Sequence, residues 1–171
     1  MTGATPALRL ALDQNFPTPL IHAVAAYLPA DLELSSLHEI DLRLTRLDDR
    51  ALFLTLHHLG WNGLVTNNYR MLDEPWELAA IIRTQAVVVA VEGLGHDPLR
   101  AVGALLLDLP GLANRIRPHR SNVFLLSYRR RPPRNAREYL KAIAERQGRT
   151  DSDLWEEVLV TADEFDQARL D

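Results

Sequence analysis

Apolar and polar residues alternate along Ala7–Asp13 (ALRLALD), the period of two that marks a strand. Asn15-Phe16-Pro17 interrupts the alternation, and Pro19–Leu28 then carries apolar residues at helical spacing, with Pro17 or Pro19 tolerated in the first turn. Leu32–Leu37 (LELSSL) reads as a second short strand. From Asp48 or Asp49 to Leu59 the pattern predicts an amphipathic helix with an acidic start and Gly60 as its stop. Gly63–Thr66 (GLVT) is a third strand, followed by the polar loop Asn67–Arg70, and Glu74–Gln85 is helical. Ala86–Val91 (AVVVAV) is an uninterrupted apolar run of the kind buried on both faces of a parallel sheet. Pro98–Leu109 makes another helix closed by Pro110-Gly111, and Asn122–Tyr128 (NVFLLSY) a last strand. Asn135–Gln147 is a helix with Asn135 as N-cap and Gly148 as C-cap, and an acidic helical segment covers Ser152–Leu170.

This β-α-β-α order predicts a doubly wound, mostly parallel α/β sheet flanked by helices. Residues 1–115 would form its core. Residues 116–171 would be a carboxyl-terminal extension, a strand plus helical segments, packed on that core. Ligands of such sheets lie beyond the carboxyl ends of the strands, near the switch in strand order. The candidates are therefore Asp13, Gln14 and Asn15 after the first strand, Asn67 and Asn68 after the third, and Glu92 after the fourth. The connection after the second strand adds Glu39, Asp41, Asp48 and Asp49. Carboxylates converging there would make a hard, oxygen-rich site suited to Mg²⁺ or Mn²⁺.

Composition narrows the class. In 171 residues, 47% hydrophobic and 25% charged, there is no cysteine, which excludes disulfide scaffolds, thiolate metal sites and thiol nucleophiles. The longest apolar runs, Ala86–Val91 and Ala104–Leu107, fall far short of the roughly 18 residues that span a bilayer. Met1–Ala7 carries no basic segment leading into an apolar stretch, so the expectation is a cytoplasmic protein with no membrane partner.

Charge is unevenly spread. Residues 115–149 hold 11 basic and 2 acidic side chains, residues 150–171 hold 1 basic and 8 acidic, and residues 1–114 hold 7 and 13. A basic belt between acidic segments points to nucleic acid or an acidic partner, or to a tail that folds back to neutralise the belt. Within it, Arg129-Arg130-Arg131-Pro132-Pro133-Arg134 follows a strand and precedes a helix. Arg129, Arg130, Arg131 and Arg134 could track a phosphate backbone with Tyr128 stacking beside them, dock an acidic segment, or form a solvated loop.

Three segments resemble a known family. Leu12-Asp13-Gln14-Asn15-Phe16-Pro17 is similar to the L-D-E-N-hydrophobic-P opening of short prokaryotic PIN-like proteins. Leu64-Val65-Thr66-Asn67-Asn68-Tyr69-Arg70-Met71 resembles their L-V-T-x-D-x-D-F segment, and Asp48-Asp49-Arg50-Ala51-Leu52 their D-x-E-I-L helix start. The resemblance covers roughly residues 8–115. It implies a PIN-like, Rossmann-like fold and an acidic cluster that holds Mg²⁺ or Mn²⁺ and cleaves RNA phosphodiesters. Many such proteins are toxins neutralised by an antitoxin, so RNA and an antitoxin-like protein are the partners it implies; a homodimer is a further expectation. Carried over by position, Asp13 would be the first metal ligand and Asp48 or Asp49 the second. The third and fourth acidic positions fall on Asn68, which brings an oxygen without charge, and on Arg70, which repels a cation. Glu92 would restore one carboxylate. The catalytic set is then Asp13, Asp48, Asp49 and Asn68, and the metal set Asp13, Asp49, Asn68 and Glu92.

Each residue also has a plainer role. Asp13 and Asn15 can cap a turn, Asp48 and Asp49 can cap a helix and meet its dipole, and Asn67-Asn68 can be a turn. Glu92-Gly93-Leu94-Gly95-His96-Asp97-Pro98 lacks the third glycine of a dinucleotide loop, His57-His58 are adjacent rather than four apart, and no G-x-S-x-G elbow exists. The leading expectation is a metal-dependent ribonuclease. The alternative is a catalytically silent PIN-like module that binds RNA or a partner protein, and a nucleotide-binding regulator ranks third.

Overall fold

Five short strands, Leu8–Leu12 (β1), Leu32–Ser36 (β2), Gly63–Thr66 (β3), Val87–Val91 (β4) and Val123–Leu126 (β5), pair in the order β2-β1-β3-β4-β5. Every pairing is parallel. The computed structural model of the chain describes residues 8–14, 16–24, 27–92, 97–117, 122–127 and 132–170. Asn15, Tyr128, Arg129, Arg130, Arg131 and residues 93–96 lie outside the described residues.

Alternation along the strands sorts their side chains to two cores. Leu10, Leu12, Val65, Val89, Val91, Phe124 and Leu126 pack with Ile21 of Thr18–Val24 (α1), Leu105 of Pro98–Asp108 (α5) and Leu112 of Leu112–Arg115 (α6). Ala11, Leu64, Val88, Ala90 and Val123 face the opposite way. They pack with Leu37 of Leu37–Ile40 (α2), Phe53 of Asp49–His58 (α3), Leu78 of Pro75–Thr84 (α4) and Leu140 of Ala136–Arg146 (α7). The expected α/β architecture is present: an open, wholly parallel sheet with helices on both faces, a Rossmann-like arrangement. Among the described residues no helix is long and apolar enough to cross a membrane.

The carboxyl-terminal segment completes the same sheet. Asn122, 2% exposed, donates from Nδ2 to Ala86 O (2.9 Å) and accepts at Oδ1 from Ala136 N (3.3 Å). One side chain thus joins the starts of β4, β5 and α7. Asn135 caps α7 as expected, accepting from Arg137 N at 2.9 Å.

Two boundaries differ from the sequence pattern. The second strand ends at Ser36, because Ser36 caps α2 in a capping box: Glu39 N donates to Ser36 Oγ (3.3 Å) and Ser36 N to Glu39 Oε2 (2.9 Å). The acidic tail is two helices, Asp151–Val158 (α8) and Ala162–Gln167 (α9). The carbonyls of Val158 and Leu159 accept from Arg50 (2.9 and 3.2 Å), and Thr161 Oγ1 caps α9 by accepting from Glu164 N (3.2 Å). A side chain from α3 takes the carbonyls at the end of α8, and the helix stops there.

The tail folds back, but only part of it meets the basic belt. Arg149 pairs with Glu157 (2.7 Å) and Arg137 lies 4.5 Å over the Trp155 ring. The acid nearest the body, Glu164, pairs instead with Arg50, which also donates to Trp76 O at 2.7 Å. Phe165 lies under the Arg83 guanidinium (4.7 Å), with its carbonyl 2.6 Å from His58 Nε2.

Two expectations follow. A Cβ on Gly63 would sit 1.8 Å from Val87 O, a collision with backbone that no rotamer relieves. Gly63→Ala should therefore cost about 3 kcal/mol or more, read by urea denaturation, or prevent folding. Ending the chain after Gly148 removes the cover over α7 and the tail partners of Arg50 (Val158 O, Leu159 O and Glu164), and should lower Tm by about 10 °C or more. An unchanged melt would make the tail a mere appendage.

Candidate functional site at the carboxyl ends of the central strands

In this strand order the direction of winding reverses between β1 and β3, and the two connections diverge to leave a crevice. β1 and β3 register Leu12 against Val65, so the next residues, Asp13 and Thr66, stand side by side, with Asp13 N donating to Val65 O at 2.9 Å. Both share the parity of Ala11 and Leu64 and so point to the face covered by α3 and α4. Thr66, fully buried, donates from Oγ1 to Asp13 Oδ2 (2.8 Å) and accepts at Oγ1 from Asn68 N (2.9 Å). One hydroxyl therefore orients the aspartate and shapes the loop after β3.

Asn68 carries the connection onward. Its Nδ2 donates to Asp49 Oδ2 at 3.2 Å. Asp49 opens α3, and Asp48 before it is the N-cap, accepting from Ala51 N at 2.8 Å. Of these two acids, Asp48 is occupied in capping, and Asp49 stands where it senses Asp13. Burial pushes the Asp49 carboxyl up, the nearby Asp13 pushes it further, and the Asn68 amide partly offsets both.

A third acid belongs to this group, and the sequence reading missed it. Glu77 lies in the first turn of α4, packed beside α3. Burial raises its carboxyl to about 7, helped by Asp49, Glu74 and Asp48, and its Oε2 is buried with no hydrogen-bond partner. An acid in a helix's first turn is ordinarily a match to the helix dipole. Only the packing of two helix starts at one strand end exposes the difference.

The remaining candidates go elsewhere. Glu39 completes the cap of α2 and pairs with His22 (2.7 Å), and Asp41 caps the following 3₁₀ turn, Leu42–Arg46, and grips Arg43 (2.8 Å). Hydrogen bonds to those partners hold both carboxyls below the usual range. Asn67 buries Oδ1 without a hydrogen-bond partner, and Arg70 is exposed in the 3₁₀ turn Tyr69–Asp73. Glu92 lines a cavity with Tyr69, Tyr139 and Arg134. Arg134 is the one member of the arginine run within the described residues. It donates to Glu138 (3.2 Å) and stacks 4.5 Å over Tyr139.

Carboxylate, amide and hydroxyl oxygens are the donors a hard divalent cation takes; Asp49 stands near enough to Asp13 to feel its charge, and Glu77 Oε2 is buried without a hydrogen-bond partner. Among the described residues, no group of three or more His, Cys, Asp or Glu side chains is placed to hold a metal ion as it stands. The arrangement fits an ion held by one or two carboxylates that keeps several waters, the habit of Mg²⁺. The fold and crevice define an open parallel α/β protein with a group of acidic side chains at its switch point. Comparison with family models, curated proteins and solved structures finds no match for the chain.

Glu77 also makes stability depend on pH. Its folded value of about 7 lies above the ordinary 4.5, so the folded state binds the proton more tightly and loses stability as pH rises between those values. Glu77→Gln should therefore leave Tm near wild type at pH 4.5 and raise it increasingly up to pH 7.5. A constant difference across that window would remove Glu77 from the acidic group.

Proposed function

We propose that this chain is a PIN-like, divalent-metal-dependent ribonuclease, with Asp13 and Asp49 as the residues that would hold Mg²⁺ or Mn²⁺. The observation that carries the reading is the coupling of Asp13 and Asp49 across the β1–β3 crevice, with Glu77 raised to about 7 beside them. A bound divalent ion would supply charge stabilisation at a phosphodiester and lower the pKa of water. The residues of the chain do the rest. Thr66 fixes the orientation of Asp13, and the Asn68 amide fixes that of Asp49. The Glu77 carboxyl, poised near neutrality, would accept a proton from an attacking water and return it to the leaving oxygen. The resemblance in the three short segments supports the same class.

One observation favours the silent module. Asn68 stands where the motif has an aspartate and spends its amide on Asp49, so the site lacks a charge that a tight metal centre would have.

Calorimetry with Mn²⁺ and cleavage of a fluorescent single-stranded RNA separate the two. On the nuclease reading Asp13→Asn abolishes Mn²⁺ binding. Glu77→Gln lowers cleavage roughly a hundredfold and removes the rise in rate through pH 7. Asn68→Asp, by adding a carboxylate, tightens Mn²⁺ binding roughly tenfold. RNA binding without Mn²⁺ binding or cleavage would assign the module instead.

A further inference from the structure

The last helix is held to the body at two points. Glu164 pairs with Arg50 of α3, and Phe165 sits among side chains of α3 and α4. Phe165 is partly buried against the core, and no residue of α9 is fully buried. A helix of six residues with so little cover takes its place from those two contacts, and segments of this kind open most readily.

The second contact gathers like charge. Around the Phe165 ring stand His57 (5.3 Å between ring centroids), His58 (4.6 Å) and the Arg83 guanidinium, 4.7 Å from the ring centre. The two imidazoles are 5.8 Å apart. The acids of α9 are directed elsewhere: Glu164 pairs with Arg50, Asp166 with Arg169, and Asp163 is exposed in the first turn.

We infer that α9 is a strap released by acid, with His57 as the group whose protonation lifts it. With both imidazoles neutral, the Phe165 ring meets one cation, Arg83, which its face attracts. Acid adds a charge on His57 beside Arg83 and His58, and like charges in a partly desolvated site repel. His58 is bound differently. Its Nε2 donates to Phe165 O at 2.6 Å, and an imidazolium makes that same bond. The carbonyl end of α3 attracts a cation at His57, yet partial burial, His58 and Arg83 outweigh it and push the imidazole below its ordinary 6.5. The docked state therefore binds the proton less tightly than the released one. Docking is at full strength above 6.5 and weakens as pH falls through that value.

The first contact does not share this sensitivity. Hydrogen bonds from Arg50 hold the Glu164 carboxyl below its ordinary 4.5, so that pair stays charged while His57 titrates. Neither His57 nor Phe165 belongs to the acidic group, so the strap stands apart from the ribonuclease reading.

The chain has no cysteine, and Gln167→Cys places a single thiol at the end of α9 for a fluorescent label whose anisotropy reports docking. In the full chain the released fraction should rise roughly tenfold from pH 7.5 to 5.5, with the near-ultraviolet circular dichroism of the body constant. Adding His57→Gln, which cannot take the proton, should hold the anisotropy at its pH 7.5 value throughout. Phe165→Ala should give a released tail at both pH values, whatever the fate of the His57 variant. An anisotropy indifferent to pH, or a fall undiminished by His57→Gln, overturns the strap. So does a docked tail in Phe165→Ala, or a fall that comes only with loss of the near-ultraviolet signal, because the whole chain then unfolds.

Discussion

The parallel pairing of β1 with strands on both sides is the constraint from which the rest follows. β1 lies between β2 and β3, and the chain reaches them by connections over opposite faces, α1 on one and α3 on the other. The connections must part at the carboxyl end of β1, so a crevice forms there whatever side chains occupy it. This chain fills it with Asp13, held by Thr66 from the neighbouring strand. A slip of one residue in the β1–β3 register would turn Asp13 to the other face and dissolve the group.

A single arginine ties that crevice to the far end of the chain. Arg50 follows Asp49 in α3, is only 13% exposed, and spends its donors on Glu164, Trp76 O, Val158 O and Leu159 O. Exposed pairs such as Arg100–Asp97 contribute at most about 1 kcal/mol, whereas a buried guanidinium stripped of its partners costs about 3–5 kcal/mol. Trp76, whose carbonyl Arg50 holds, immediately precedes Glu77. The first turns of α3 and α4 and the tail are thus fastened at one point. The acids of the tail are structural at Glu164 and Glu157, and only Arg149 and Arg137 of the described basic belt meet the tail directly.

The acids near the strand ends divide by what their backbone neighbours ask of them. Asp48, Asp41 and Glu39 each accept from an amide at a helix or turn start, and a carboxylate so bonded is comfortable. Asp49 and Glu77 are one or three positions further in; Asp49 feels the charge of Asp13, and Glu77 that of Asp49. Discomfort of that kind is what a counter-ion or a travelling proton relieves. The electrostatics therefore set Asp49 and Glu77 apart from the caps beside them.

The alternation in β1, the valine run of β4 and the caps at Asp48 and Asn135 were legible in the sequence, because local period and capping chemistry act within a few residues. They determined a parallel α/β sheet and placed Asp13, Asp49 and Asn68 near its carboxyl edge. Strand order was not legible, since which strands neighbour β1 depends on how connections cross the two faces. For the same reason Glu77 looked like a helix-dipole residue, and the acidic tail like one continuous helix awaiting a basic belt. Burial, the charge of a group 28 residues away in sequence (Asp49 beside Glu77) and the reach of Arg50 into the end of α8 arise only when distant segments share one small volume. Tertiary structure decided them, because desolvation and Coulomb repulsion depend on separation in space.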